Sequence, residues 1–176
     1  MSANRHEQLA HEITATTDGF LRSLEGIPGD RWLYTSSPEV WSVGQTAEHT
    51  AGVFRNIQRL MAKKLLDTPF PAGSRSPMGD EVIVRLMANR DKRYSAPEFT
   101  LPTGKWAGAT PLIADFVESR RLLLEWLAAR TEDLRGYGVP HPLIGPMDGV
   151  QWLLFAAAHT ERHTRQIVEF RRRAGF

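Results

Sequence analysis

His159 and His163 stand four residues apart, so on a helix they share one face about one turn from each other. Both fall on an apolar stripe, between Phe155 and Ile167, and His49 falls on a second stripe, between Thr46 and Val53. Three imidazoles turned into one core each need a polar partner or carry a burial cost of roughly 1–3 kcal/mol. The inward-facing polar candidates are few: Gln45, Thr46 and Gln166. A divalent metal satisfies all three rings at once through neutral imidazole nitrogens. Three separately hydrogen-bonded core histidines fit the same spacing, and the pattern alone leaves both open. Three protein ligands would leave coordination positions free, the arrangement of a catalytic rather than a closed structural site. A metal there lowers the pKa of bound water or deprotonates a coordinating thiol, and the thiolate is a nucleophile at neutral pH. The chain has no cysteine, so any such thiol must be a small-molecule cosubstrate. Activated water would equally suit a hydrolase.

Arg120 interrupts the apolar stripe made by Phe116, Val117, Leu123 and Leu124. Its guanidinium could clamp a substrate carboxylate bidentately, or its stem could pack on the core with the head in water. Trp152 is the best candidate to line the site, with Trp41 and Phe155 as core or cavity wall. Glu48 and Glu161 neighbour candidate ligands, but a one-residue step turns each about 100° away on a helix, which places both on the surface or rim. His6 and His11 are expected to be exposed, and His141, in a Pro/Gly loop, to orient the start of the last helix. Arg121 and Glu125 form an i,i+4 surface pair.

The elements that must position these residues are helices. Leu9, Ile13, Phe20 and Leu24 mark a first helix over 4–26, with Asn4 and Glu7 as a capping box. Ser42 and Gln45 cap a second helix reaching about 66, whose inward stripe is Thr46, His49, Val53, Ile57 and Leu60. Thr110 and Pro111 open a third, with the stripe Leu112, Ile113, Phe116, Val117, Leu123, Leu124 and Leu127, fading near 134. Asp148 and Gln151 open a fourth that ends in Arg171, Arg172 and Arg173, where cations complement the helix dipole. A short helix over about 81–90, capped by Asp80, interrupts the Pro/Gly-rich connection 67–109, and 135–147 reads as a second connection. No long β-branched alternation competes for a sheet. The expected fold is all-α: one domain over 1–176, a four-helix bundle with a long crossover between helices two and three. That crossover is long enough to return the chain to the same end, which favours up-down-down-up topology.

Composition narrows the partners. The 22 basic residues, mostly Arg, face 20 acids, so the formal charge of +2 gives no electrostatic footprint for nucleic acid. No apolar run approaches the roughly 20 residues of a membrane span, and the N-terminus lacks a signal-peptide core, so a cytoplasmic protein is expected. A homodimer, the commonest symmetric state, is the expected assembly.

Two segments resemble a known family. Trp41-Ser42-Val43-Gly44-Gln45-Thr46-Ala47-Glu48-His49 is similar to the opening of helix two in DinB-like proteins. His141-Pro142, Gly145-Pro146, Gln151-Trp152 and His159-Thr160-Glu161-Arg162-His163-Thr164-Arg165-Gln166-Ile167 resemble that family's closing motif. The resemblance implies an up-down-down-up bundle holding a divalent metal, zinc or nickel by the chemistry of imidazole ligands, on His49, His159 and His163. It also implies frequent homodimers and, in characterised members, metal-dependent transferase or isomerase activity using bacillithiol, mycothiol or glutathione. The function it suggests is transfer of such a low-molecular-weight thiol to a small electrophile. The alternatives are a metal-dependent hydrolase of a small amide or ester and a non-enzymatic, metal-binding stress-response module.

Overall fold

The structure, a computed structural model, describes residues 2–70, 76–91 and 95–176. Residues 71–75 and 92–94 of the long connection lie outside the described residues. In chain order the main elements are α1 (Ser2–Ser23), α2 (Val43–Lys63), the short α3 (Asp80–Ala88), α4 (Ala109–Ala128), the strands β1 (Gly138–His141) and β2 (Gly145–Asp148), and α5 (Gly149–Ala174). The expected third and fourth long helices are α4 and α5.

Contacts between helices fix their directions. His6 at the start of α1 bonds the Arg130 carbonyl just past the end of α4, while Phe20 near the end of α1 packs on Phe116 near the start of α4. These two helices are antiparallel. Arg171 near the end of α5 donates to the Ser23 carbonyl at the end of α1, and Arg5 joins Asp80, which Arg135 links to Asp148 at the start of α5. Those two are parallel. His49 meets His159, whereas Leu65 beyond the end of α2 presses on Gly149 at the start of α5, so α2 opposes α5. The result is the up-down-down-up bundle, with α2 and α4 running against α1 and α5. Each of α1 and α2 packs against both α4 and α5, and α3 lies against α5.

The helix starts follow from capping chemistry. Ser42 accepts from the Gln45 amide while the Gln45 side chain accepts from the Ser42 amide, and Asp148 and Gln151 repeat the reciprocal box on α5. The remaining boundaries shift. Asn4 lies inside α1, so it caps nothing. Gly79 rather than Asp80 precedes α3, which frees the Asp80 carboxylate to receive Arg135. Gly108 stands at the N-cap of α4, placing Thr110 and Pro111 within its first turn, where the missing proline amide still leaves no bond unmade. That helix stops at Ala128.

A phenylalanine cluster anchors the core: Phe116 lies 4.7 Å from Phe20 and 5.0 Å from Phe54, ring centre to ring centre. On α4 the buried line is Leu112, Phe116, Ser119, Leu123 and Leu127, leaving Val117 outside it at 37% exposure. Gly44 is required where α2 begins, since a Cβ there would come within 2.7 Å of the Trp32 ring nitrogen.

The stretch 135–147, expected to be a plain connection, contains a β-hairpin with register Gly138↔Asp148, Val139↔Met147, Pro140↔Pro146 and His141↔Gly145. Val139 and Met147 turn inward, and the Trp152 indole donates to the Val139 carbonyl, fastening the hairpin to α5. Proline is tolerated here because Pro140 faces Pro146 in a two-stranded ribbon, whose outer N–H positions need no partner strand. Gly145, at φ 93°, closes the three-residue turn in the left-handed region that such hairpins require.

Candidate metal centre

Helix α2 has two inward faces. Ala47, Thr50, Ala51, Phe54 and Met61 enter the core, whereas Thr46, His49, Val53, Ile57 and Leu60 line a cavity of about 1550 Å³. Val53 and Leu60 are only partly buried for that reason. The cavity is bounded opposite by α5, through Trp152, Phe155, His159, His163 and Ile167, and by α3 and the hairpin.

His49, His159 and His163 converge on it from the two antiparallel helices, each at most 8% exposed. One ring nitrogen from each lies within 4.8 Å of the others, a grouping that could hold a metal ion. The Nε2 atoms of His49 and His159 are 3.2 Å apart. Two nitrogens sharing a tetrahedral zinc at about 2.0–2.1 Å stand roughly 3.3 Å apart, so this spacing fits the ion's ligand shell. The second nitrogens of His49 and His163 are already used. His49 Nδ1 donates to the Thr100 carbonyl at 2.8 Å, and His163 Nδ1 donates to Gln166 Oε1 at 2.9 Å. Each bond places the proton on Nδ1 and leaves the Nε2 lone pair free, the outer-shell arrangement that orients metal-binding imidazoles.

Burial keeps all three rings neutral. It lowers the pKa of His49, partly offset by the Thr100 carbonyl, and pushes His159 well below the ordinary imidazole value. His163 falls to about 3, first through burial and then through the neighbouring His49. A neutral imidazole is the form that binds metal. Among the described residues, no carboxylate joins the three rings within that grouping.

A family model of the DinB superfamily matches residues 12–167, most of the chain and all three histidines. The chain belongs to that superfamily. The sequence is also 20% identical over 148 residues to the uncharacterized protein YuaE of Bacillus subtilis (strain 168), covering 84% of this chain and 88% of that protein. No solved structure matches. No helix among the described residues is long and apolar enough to cross a membrane.

The other residues singled out from sequence fall in different places. Trp152 lines the cavity. Arg120 does not: it lies on the α1–α4 side, where its guanidinium bonds Asp18 and, at 3.3 Å, the Thr17 hydroxyl. Arg121 pairs with Glu125 and also with Glu118. Glu161 pairs with Arg165 on an exposed face. His6, expected to be exposed, is buried, because its ring bonds the Arg130 carbonyl between α1 and the end of α4.

Glu48 is more than a rim residue. Its carboxylate accepts from the Thr103 amide and hydroxyl at 2.9 and 2.7 Å and from the Gly104 amide at 2.9 Å. Burial opposes its charge, but these donors prevail and hold its pKa below the ordinary carboxylate value. The segment it grips follows directly on Thr100, so Glu48 fastens the loop that orients His49. The sequence signal was an acid beside a candidate ligand; its partners lie more than fifty residues away, beyond any local pattern.

Proposed function

We propose that this DinB superfamily protein is a metal-dependent transferase that activates a low-molecular-weight thiol of the bacillithiol, mycothiol or glutathione type and joins it to a small electrophile. The observation that carries the reading is the convergence of three neutral imidazoles, two of them oriented by bonds from Nδ1, from two facing helices at a large cavity. Three ligands leave positions free on the cavity side, where a substrate group can enter. His49, His159 and His163 would hold the ion, zinc or nickel being favoured by an all-imidazole set. Such an ion, when bound, stabilises a coordinating sulfur as thiolate and makes it nucleophilic at neutral pH.

The chain's own residues supply orientation and enclosure. Thr100 and Gln166 hold two of the rings by their Nδ1 protons, and Glu48 holds the Thr100 loop. Trp41, its ring 5.0 Å from His49, and Phe155, stacked on His159 at 5.5 Å, wall the site with apolar surface and limit water around the reacting sulfur. With no cysteine in the chain, the sulfur must come from a cosubstrate.

The test begins with metal analysis of protein purified without a nickel column. Thiol consumption is then followed with bacillithiol, mycothiol and glutathione against a reference electrophile. Metal-dependent loss of one thiol, abolished by a chelator and restored by zinc or nickel, is the expected result. Loaded protein that consumes none of the three overturns the transferase reading.

A further inference from the structure

The hairpin brings a fourth histidine to the cavity. His141 ends β1, and its Nδ1 accepts from the Leu143 and Ile144 amides at 3.2 and 3.3 Å. Two backbone donors on Nδ1 leave the ring proton on Nε2. That Nε2–H has no acceptor among the described residues, although the ring lines the same cavity as the three-histidine cluster. The ring is held in place by Trp152 at 5.2 Å and Phe155 at 4.8 Å, and Phe155 in turn stacks on His159 at 5.5 Å. A molecule lying along the cavity side of Phe155 would therefore have the cluster at one end and His141 at the other. The mounting is stiff: the hairpin is paired through His141↔Gly145 and tied to α5 by the Trp152 indole.

We propose that His141 is a substrate-binding residue whose Nε2–H donates to a carbonyl oxygen of the electrophile. The proposal deepens the transferase reading by naming the substrate class: electrophiles whose reacting carbon is conjugated to a carbonyl. Burial lowers the His141 pKa to about 4, so at neutral pH the ring is an uncharged donor. An uncharged imidazole N–H suits a carbonyl that gains negative charge during reaction, because it can stabilise the oxyanion without surrendering its proton. With an enone, the thiolate sulfur forms a bond to the β-carbon, the C=C π pair shifts to join the α-carbon and the carbonyl carbon, and the carbonyl π pair moves onto the oxygen, giving an enolate bonded to His141 Nε2–H. The α-carbon then takes a proton from water, replacing the one the thiol released to solvent.

A purely local role for His141, closing its own turn, makes the opposite prediction for two substitutions. In H141N the short amide oxygen can still accept from the Leu143 and Ile144 amides, but the donor toward the cavity is gone. In H141Q the longer amide can place an N–H where Nε2 was, while the turn acceptor is lost. The probes are acetophenone and its hydrocarbon counterpart ethylbenzene, titrated by NMR against metal-free and zinc-loaded protein. The wild type should prefer acetophenone, with the His141 imidazole ¹⁵N signals moving on binding. H141N should weaken acetophenone roughly threefold to tenfold, the scale of one net hydrogen bond, and leave ethylbenzene unchanged. H141Q should keep most of the preference. Absence of acetophenone binding or preference in the wild type overturns the proposal, as does H141N matching the wild type on both probes. Equal weakening of both probes by H141N also overturns it, since that reports a lost turn. None of these outcomes depends on thiol consumption, so the donor assignment and the transferase reading can fail separately.

Discussion

The α1–α4 seam and the α2–α5 seam start from the same irregularity, polar side chains breaking an apolar stripe, and resolve it in opposite ways. On α4, Arg120 sits among Phe116, Leu123 and Leu124, yet Asp18 and Thr17 on the facing helix take its donors. The phenylalanine cluster of Phe20, Phe54 and Phe116 packs beside it. Between α2 and α5, His49 of the first helix faces His159 and His163 of the second, and the facing nitrogens meet one another rather than a complementary group. Two imidazole Nε2 atoms at 3.2 Å, one of them a bare lone pair, are a poor substitute for an ion-paired arginine. The difference teaches that a polar residue in a stripe is not informative by itself; what decides its role is whether the opposite helix carries its complement.

The sharpest way to break the contrast is to remove the cluster. Purified protein is expected to carry close to one divalent ion per chain, and His163→Ala is expected to lose it, since two imidazoles hold such an ion far less well than three. Full metal occupancy in a triple variant lacking His49, His159 and His163 would place the ion elsewhere. An ion held by His49, His159 and His163 would bridge α2 to α5 in the native state alone, so it should stabilise the fold. At one hundred times the dissociation constant the linkage is about 2.7 kcal/mol, which for a chain of this size raises Tm by roughly 5–10 °C. A chelator should reverse the rise and His49→Ala should blunt it, with far-UV helicity retained. A melting temperature indifferent to both metal and chelator, starting from metal-free protein, would decide for three independent core histidines.

The bundle was legible because each long helix carries its own evidence. Ser42–Gln45 and Asp148–Gln151 satisfy end amides by local chemistry, and the stripes of α1 and α5 follow helical periodicity. The three histidines were legible for the same reason, as each sits on such a stripe. What escaped was everything set by partners distant in sequence. The hairpin is built from Gly138, Pro140, Pro142, Gly145 and Pro146, residues that signal a loop, and it is held by Trp152 and inward Val139. Arg120 looked available because Asp18 lies about a hundred residues away. Glu48 looked superficial because the loop it grips returns from beyond α3.

A smaller effect separates the two seams by pH. His163 and His141 have pKa values pushed down to about 3 and about 4 by burial, against about 6.5 for imidazole in an unfolded chain. Below 6.5 the unfolded chain therefore binds protons that the native state refuses. Stability of the metal-free protein is fully present above that value and declines as pH falls toward about 4, at up to ~1.4 kcal/mol per pH unit for each such group. Urea midpoints compared at pH 7.5 and pH 5 measure the decline. Replacing His163 with Leu, which cannot take up a proton, should remove its share and make the decline shallower, whereas altering Arg120 should not. An unchanged slope in the leucine variant would mean that His163 titrates in the native state as freely as in the unfolded chain.

The smallest effect concerns Arg120 itself. Its side chain is 22% exposed and that of Asp18 is 42% exposed, so water screens the pair and its contribution stays within the range of a surface salt bridge, about 0–1 kcal/mol. Arg120→Met keeps the unbranched apolar stem against Phe116 and Leu124 while removing the charge. The expected loss is under about 1 kcal/mol, a shift of a few degrees at most, and it should shrink further when Asp18→Asn is combined with it, because the second substitution removes the carboxylate left without its partner. Metal content and thiol consumption should match the wild type, since the guanidinium points to α1 and not into the cavity. If Arg120→Met instead raises KM for an anionic substrate while leaving the metal in place, the arginine does reach the cavity during turnover. The contrast between a sealed seam and an open one would then hold only for the resting protein.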